Sequence, residues 1–159
     1  MQKAPLRDAI IAQLHRELDL QKRAAQDARD EATSAESKAE GQYDMRGQEA
    51  AYLAEGQARL AAEVAESIAA YQALPLPDFS NDSVAAIGAL ITLEAKGKRG
   101  LYFLGPRHGG LEAQAGDLHF TVVTPSSPLG RQLLGRRVGD VVQLPGRGGP
   151  LPHTIVALA

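Results

Sequence analysis

Two long segments of the chain repeat small and apolar residues at alternating steps of three and four. In residues 6–32 these positions hold, in order, Ile11, Leu14, Leu18, Gln21, Ala25, Ala28 and Ala32. In residues 48–73 they hold Ala50, Leu53, Gln57, Leu60, Val64, Ser67 or Ile68, and Tyr71. This spacing puts the positions on one stripe of an α-helix, as in a coiled coil. Both segments are therefore predicted to be helices, and Pro5 precedes the first, where its missing N–H is tolerated.

The two predicted helices match when the chain is folded back at Gly41. Ile11 then faces Tyr71, Ala32 faces Ala50, and the residue numbers of each facing pair add up to 81 or 82. The stripe is Ile, Leu, Val and Tyr at one end but mostly Ala near the turn, where the helices can approach closely while burying little apolar area. The sequence thus predicts an antiparallel coiled-coil hairpin over residues 1–74, slender near its turn. Gln21 and Gln57 interrupt the stripe at nearby levels, and they could fix the register or be partly exposed.

The second half of the chain has strand-like patterning. Residues 75–83 contain two prolines followed by Asp, Ser and Asn, which is typical of a linker. In residues 84–159, short runs rich in Val, Ile, Leu, Thr and aromatics are separated by Gly and Pro, and they predict strands at 86–95, 99–105, 118–124, 140–145 and 153–159. Residues 127–135 predict one short helix. The predicted fold class is α+β, with a helical hairpin followed by a small, mostly antiparallel β domain.

Charge and composition narrow the possible functions. The 159 residues carry a net charge of −2, but residues 1–79 contribute −5 and residues 80–159 contribute +3. Without cysteine there can be neither disulfides nor thiolate chemistry. The four histidines lack metal-binding spacing, and Gly97-Lys98 lacks the remainder of a P-loop. Since neither a signal peptide nor a membrane span is found, a cytoplasmic protein without membrane contact is expected.

Three carboxylates recur every four residues at the predicted turn. Glu36, Glu40 and Asp44 would share one face if residues 36–44 were helical, and they would repel one another unless they shared a cation. Mg²⁺ accepts one or two protein carboxylates while keeping several waters. One interpretation is therefore a metal-related site. The other is a solvated acidic bend, with Lys38 and Arg46 offsetting the repulsion.

Three arginines cluster within and just after the predicted short helix. Arg131, Arg136 and Arg137 could dock on an acidic protein surface, or they could be ordinary surface residues. Because aromatic residues do not alternate with them, base stacking is not expected there. Direct nucleic-acid binding by these arginines is therefore not predicted, nor is sequence-specific DNA binding.

The same segment carries a long, distinctive motif. It reads S-P-L-G-R-x-L-L-G-R-x-V-G-D and is formed by Ser127, Pro128, Leu129, Gly130, Arg131, Leu133, Leu134, Gly135, Arg136, Val138, Gly139 and Asp140. Together with the order of hairpin, linker and β domain, it resembles the bacterial Gre (GreA/GreB) transcript-cleavage factors.

The resemblance implies both a fold and a role. It implies an FKBP-like C-terminal domain that docks at the secondary channel of RNA polymerase, with Ser127, Pro128, Leu129, Arg131, Arg136 and Arg137 as partner-binding residues. It also implies that the hairpin tip reaches towards the catalytic magnesium and the RNA 3′ end. The polymerase would then cleave backtracked RNA with its own active site. The chain would be an accessory factor rather than an enzyme, with no tightly bound cofactor but with Mg²⁺ shared at Glu36, Glu40 and Asp44.

The tip departs from the family pattern, which resembles D-L-x-E-N-A-E-Y. When the two are aligned on Tyr43, Glu36 stands at the Asp position and Ala39 at the Glu position, and Glu40 reaches the latter only after a shift of one residue. A second hypothesis is therefore a Gre-like paralogue that occupies the channel and regulates or inhibits without stimulating cleavage. A third, from the FKBP-like half, is a peptidyl-prolyl isomerase or chaperone. The predicted strands offer such a pocket few aromatics, namely Tyr102, Phe103 and Phe120.

Overall fold

Two long helices precede a single mixed β-sheet. The computed structural model describes the backbone of residues 1–38 and 45–159, with side chains except at positions 35–38 and 46. The elements are α1 (Ala4–Lys38), α2 (Arg46–Gln72), β1 (Leu90–Ala95), β2 (Lys98–Leu104), β3 (Glu112–Ala115), β4 (Leu118–Val123), α3 (Pro128–Leu133), β5 (Val141–Gly146) and β6 (Gly149–Leu158). The predicted α+β class is confirmed. The chain divides into two compact units, Ala12–Ile68 and Met1–Ile11 with Ala69–Ala159.

The unit Ala12–Ile68 contains the paired parts of α1 and α2. Arg29, Ala32 and Thr33 of α1 line one groove together with Ala51 and other residues of α2. The last turns of α1 therefore lie beside the first turns of α2, so the helices run in opposite directions. The predicted antiparallel hairpin is confirmed.

The stripe buried between the helices differs from the predicted one on α2. Its buried residues include Ala50, Ala54, Ala61, Val64, Ser67 and Ile68, with Gln57 half-buried. The prediction was wrong at Leu53 and Leu60, which are 54% and 44% exposed.

The reason is that either the alanines or the leucines of α2 could occupy the contact between the two helices. A regular three-and-four rhythm also runs through the alanines, and small side chains let two helices come close where leucines would hold them apart. On α1, Ile10 is fully buried and the predicted Ile11 only partly. Gln21 and Gln57 are both partly exposed, in line with the second of the two interpretations given for this pair.

The described β-strands form one sheet in the order β3-β4-β2-β1-β6-β5. In it β2 and β4 run parallel, and the other neighbouring pairs are antiparallel. Two boundaries differ from the prediction by more than one residue: the first strand begins at Leu90 rather than 86, and the last at Gly149 rather than 153. β3 was missed, because its sequence, E-A-Q-A, lacks the β-branched and aromatic residues that mark a strand. The start of β6 was not predicted, because glycine and proline, here Gly149 and Pro150, are uncommon within strands.

The core of the second unit lies between one face of the sheet and α3. Leu133 of α3 packs with side chains of β1, β2, β5 and β6, among them Ile91, Leu104, Val142 and Ile155. Phe103 points to the opposite face, as alternation along β2 requires, and its ring lies 6.3 Å from that of Phe120. The sheet thus buries apolar residues on both faces.

The predicted linker, residues 75–83, is held by specific contacts. The Lys3 ammonium bonds to the Pro77 carbonyl and lies 4.3 Å from the centre of the Phe79 ring. Burial lowers the pKa of Lys3, and the Asp78 carboxylate partly opposes this shift. Asn81 accepts from the Leu158 amide at 3.2 Å, which ties this segment to the last strand. Residues 75–83 therefore form an ordered part of the second unit.

Candidate functional site

The start of α3 explains the first two residues of the motif. The Ser127 hydroxyl accepts from the Gly130 amide at 3.0 Å and donates to the Thr124 carbonyl at 2.8 Å. This is an N-cap, which satisfies an amide that the helix leaves without a partner. Pro128 follows at the first helical position, where its fixed φ suits the helix. Ser127 and Pro128 thus set where α3 begins.

The middle of the motif fastens α3 to the sheet. Leu133 is fully buried in the core and Leu129 packs partly against it. Gly130 is buried so closely that a Cβ on it would stand 1.7 Å from the Thr124 carbonyl oxygen. Only a residue without a side chain fits there. The motif requires glycine at this position for steric reasons.

The end of α3 is joined to the segment before β1. Gly135 has φ +82°, the left-handed conformation that glycine adopts most easily. Its amide donates to the Ala85 carbonyl at 2.8 Å, and the Ala85 amide donates to the Arg136 carbonyl at 2.8 Å. This reciprocal pair places residues 84–86 beside the end of α3.

Gln132 links α3 to the edge strand β5. Its side-chain amide donates to the Gln143 carbonyl at 2.8 Å and accepts from the Gln143 amide at 2.8 Å. The side chain therefore takes both outward hydrogen bonds of that residue, where a further strand could otherwise pair. Pro145, two residues on, has no N–H to offer. The motif's variable position protects this edge.

The arginines of the motif lie in α3 and in the segment directly after it. Arg131 and Arg136 are exposed, and the Arg136 guanidinium bonds to the Gln132 carbonyl at 3.1 Å. The Arg137 guanidinium donates to the Asp82 carbonyl at 2.7 Å, so this exposed residue also holds the segment before β1. The three predicted arginines are therefore exposed within one short stretch of the chain.

Two apolar side chains beside these arginines were missed by the sequence analysis. Leu134 is 46% exposed and Val84 is 39% exposed. Their backbones lie near each other, because the adjacent residues Ala85 and Gly135 are hydrogen-bonded. One signal was available: of two adjacent leucines in a short helix, only one can face the core. We call Arg131, Leu134, Arg136 and Val84 together the α3 surface.

The predicted acidic site lies mostly beyond what the structure describes. Glu36 belongs to α1, but its side chain is not described, and Glu40 and Asp44 lie outside the described residues. Among the side chains that are described, no group of three His, Asp or Glu residues could hold a metal ion. In the same part of the chain, none of the helices is long and apolar enough to cross a bilayer.

Comparisons with known proteins find likeness in structure alone. Neither a family model nor a curated protein matches the chain. Among solved structures, the chain is similar to GreA factor homolog 1 (Gfh1) of Thermus thermophilus, with 22% identity, 94% of each chain covered and a TM-score of 0.39. Gfh1 of Thermus aquaticus gives 24% identity over 91% of this chain and 90% of that one, with a TM-score of 0.41. GreA/GreB from Nitrosomonas europaea gives 20% over 65% and 79%, with a TM-score of 0.38.

The architecture and the α3 surface define a class of protein. A hairpin of long helices is joined to a small β domain, and that domain presents exposed arginines and an exposed leucine in α3 and the residues directly after it. Transcription factors of the Gre type are among the solved structures that it resembles.

Proposed function

We propose that this chain is a Gre-like transcription elongation factor that binds RNA polymerase at the secondary channel. The supporting observation is that some residues of the motif make packing and capping contacts while others stay exposed. Ser127, Gly130 and Leu133 hold α3 in place, whereas Arg131 and Leu134 stay exposed. Exposed residues that lie close together at a short helix fixed to the sheet are suited to binding a partner. The α3 surface would contact an acidic protein face through its arginines and an apolar spot through Leu134.

The hairpin would deliver carboxylates to the polymerase active site. Two-metal phosphoryl transfer requires a second Mg²⁺ held beside the first, and one or two added carboxylates suffice to recruit it. We assign this role to Glu36 and Glu40, with Asp44 as a further ligand. The Ala-lined stripe would keep this end of the hairpin narrow enough for a channel. The reaction itself would be the polymerase's own cleavage of backtracked RNA, so the factor is an accessory.

The first prediction concerns the acids. A backtracked elongation complex incubated with the protein and Mg²⁺ is expected to yield shortened RNA, and Glu36→Ala with Glu40→Ala is expected to abolish this cleavage, because the second ion loses its ligands. Binding to core polymerase should remain within about twofold of wild type. Glu63→Ala with Glu66→Ala on α2 is a charge-matched control that should retain cleavage. RNA shortening by the Glu36/Glu40 double variant would remove these acids from the mechanism.

The same assay separates the alternatives. If the protein binds polymerase and inhibits run-off synthesis without shortening RNA, then the Gre-like paralogue that regulates without cleavage is correct; the altered spacing of acids in the sequence favours this alternative. If it does not bind polymerase but accelerates isomerisation of an X-Pro peptide, the FKBP-like alternative is correct and the main proposal fails.

A second prediction concerns docking. Arg131→Glu with Arg136→Glu is expected to weaken the affinity for core polymerase at least tenfold, since two attractive charges become repulsive. Pull-down or anisotropy titration would measure this affinity. Lys96→Glu with Lys98→Glu makes the same charge change elsewhere in the unit and should leave the affinity nearly unchanged. Equal weakening by both pairs would mean that overall charge, and not the α3 surface, governs binding.

A further inference from the structure

A groove of about 400 Å³ opens on the sheet, and its walls come from β1, β2, the turn between them, and β6. Its floor contains Ala95, Gly100, Tyr102 and Leu151. Tyr102 packs partly against the core beneath α3, and alternation along β2 puts Gly100 and Tyr102 on the same face as Leu104 of that core. The groove is therefore the open continuation of the sheet face that α3 covers elsewhere.

The tyrosine ring is a structural part of this floor. A Cβ on Gly100 would stand 3.1 Å from a ring carbon of Tyr102, so the ring lies along the sheet over the glycine. The missing side chain at Gly100 makes room for this position. An aromatic ring lying on a sheet, beside small and apolar residues, offers a flat surface to a planar ligand.

The rim of the groove is basic. Lys96, Lys98 and Arg99 lie within four residues of one another at the β1–β2 turn. Arg99 bonds to Glu94 at 2.6 Å, and all three cationic residues are exposed. His153 completes the lining, with its Nδ1 at 2.9 Å from the Leu151 carbonyl, so this nitrogen carries the proton and Nε2 can bond elsewhere. A cationic rim around an apolar, aromatic floor suits a ligand that is anionic at one end and planar at the other.

We propose that this groove binds a nucleotide, either free or as a unit of single-stranded RNA. The base would lie against Tyr102, and the phosphate would contact Lys96 and Lys98. Both sources present the same chemistry, a phosphate beside a planar ring. An acidic peptide would satisfy the lysines but would leave the aromatic floor without a matching ring. This inference does not depend on the proposed polymerase binding, since the α3 surface contributes none of its residues.

The test is a fluorescence anisotropy titration of a labelled eight-nucleotide single-stranded RNA with the full chain. Lys96→Gln with Lys98→Gln is expected to weaken binding about tenfold and to lower the slope of log affinity against log salt by about 1.4, since about 0.7 is lost for each phosphate contact to a single strand. Tyr102→Leu should weaken binding at least fivefold with the slope unchanged, because it removes stacking but no charge. Lys22→Gln with Arg23→Gln, both exposed on α1, is the matched control and should bind as wild type.

Competitors distinguish the two sources and can overturn the inference. If ATP displaces the labelled RNA at about the same concentration as unlabelled RNA does, counted in nucleotides, then the groove binds free nucleotides. If only unlabelled RNA displaces the labelled RNA, then the groove binds a strand. The inference fails if polyglutamate competes as well as RNA of equal charge while Tyr102→Leu binds normally, which would indicate an acidic protein partner. It also fails if the α1 control loses as much affinity as the groove variants, or if the RNA does not bind.

Discussion

Replacing Gly130 by alanine is expected to lower the free energy of unfolding by about 3 kcal/mol, the upper range for an overpacked site. The new methyl group would stand 1.7 Å from the Thr124 carbonyl oxygen and 2.5 Å from its carbon. Both atoms are backbone, so neither can rotate away. Relief requires α3 to move off the sheet, which would disturb the Ser127 cap and the burial of Leu133.

The measurement is urea unfolding followed by tyrosine fluorescence and circular dichroism. Gly56→Ala is the control, because Gly56 lies within α2 and a Cβ there meets nothing within 4 Å. That variant should gain about 0.5–1 kcal/mol from helix propensity and a less flexible unfolded chain. A loss of stability for Gly130→Ala and a gain for Gly56→Ala would show that the effect at Gly130 is steric and is not a general effect of replacing glycine. An unchanged midpoint for Gly130→Ala would contradict the close packing of α3 on Thr124.

The sequence motif alone could predict α3 but not the reason for each of its residues. The Ser-Pro start and the terminal glycine are local signals, so the helix was predicted over 127–135 and is found at Pro128–Leu133. The contact of Gly130 with Thr124 and the pairing of Gln132 with Gln143 depend on the tertiary fold. For the same reason the exposure of Leu134 and Val84 was not predicted. Local patterns identify elements, whereas the surfaces those elements leave open depend on what packs against them.

In the hairpin, too, the sequence predicted the elements but not all of the residues that they bury. Periodicity predicted two antiparallel helices, and their pairing follows from sequence spacing alone. The phase on α2 was wrong at Leu53 and Leu60, because the ranking by hydrophobicity favoured leucine over the adjacent alanines. Close helix contact selects for small size, and this preference competes with hydrophobic burial. The basic groove was missed because its residues come from β1, β2 and β6, which are brought together only by the sheet.

The second large effect is expected at Gly105, where α2 meets the end of β2 within the second unit. Tyr71 is fully buried, and its hydroxyl donates to the Arg107 carbonyl at 2.7 Å. A Cβ on Gly105 would stand 2.1 Å from that hydroxyl oxygen, 3.0 Å from the ring carbon that bears it and 3.1 Å from a methyl of Val122. Gly105→Ala would therefore push the tyrosine away from Arg107, and we expect a loss of about 3 kcal/mol.

The pH dependence of stability reports on the same tyrosine. Burial raises the pKa of Tyr71 well above its ordinary value of 10.0. The neutral form of Tyr71 is thus favoured in the folded state. The stabilisation that it provides is fully present at pH values below the pKa of tyrosine in the unfolded chain. Above about pH 10, unfolding releases the proton, so stability should fall by about 1.4 kcal/mol per pH unit. Tyr71→Phe should lack this component of the fall, which urea midpoints between pH 9 and 11 would show.

A double-mutant cycle tests whether the hydroxyl itself is what Gly105 accommodates. Tyr71→Phe alone should cost about 1 kcal/mol, the usual net value of one hydrogen bond. In that background, the nearest atom to the new methyl group is the ring carbon at 3.0 Å instead of the oxygen at 2.1 Å. Gly105→Ala should then cost only about 1 kcal/mol, so that the two substitutions are sub-additive by about 2 kcal/mol, within the range measured for contacting residues. Strictly additive losses would mean that alanine is rejected by Val122 or by the backbone, and that the tyrosine hydroxyl does not require glycine at this position.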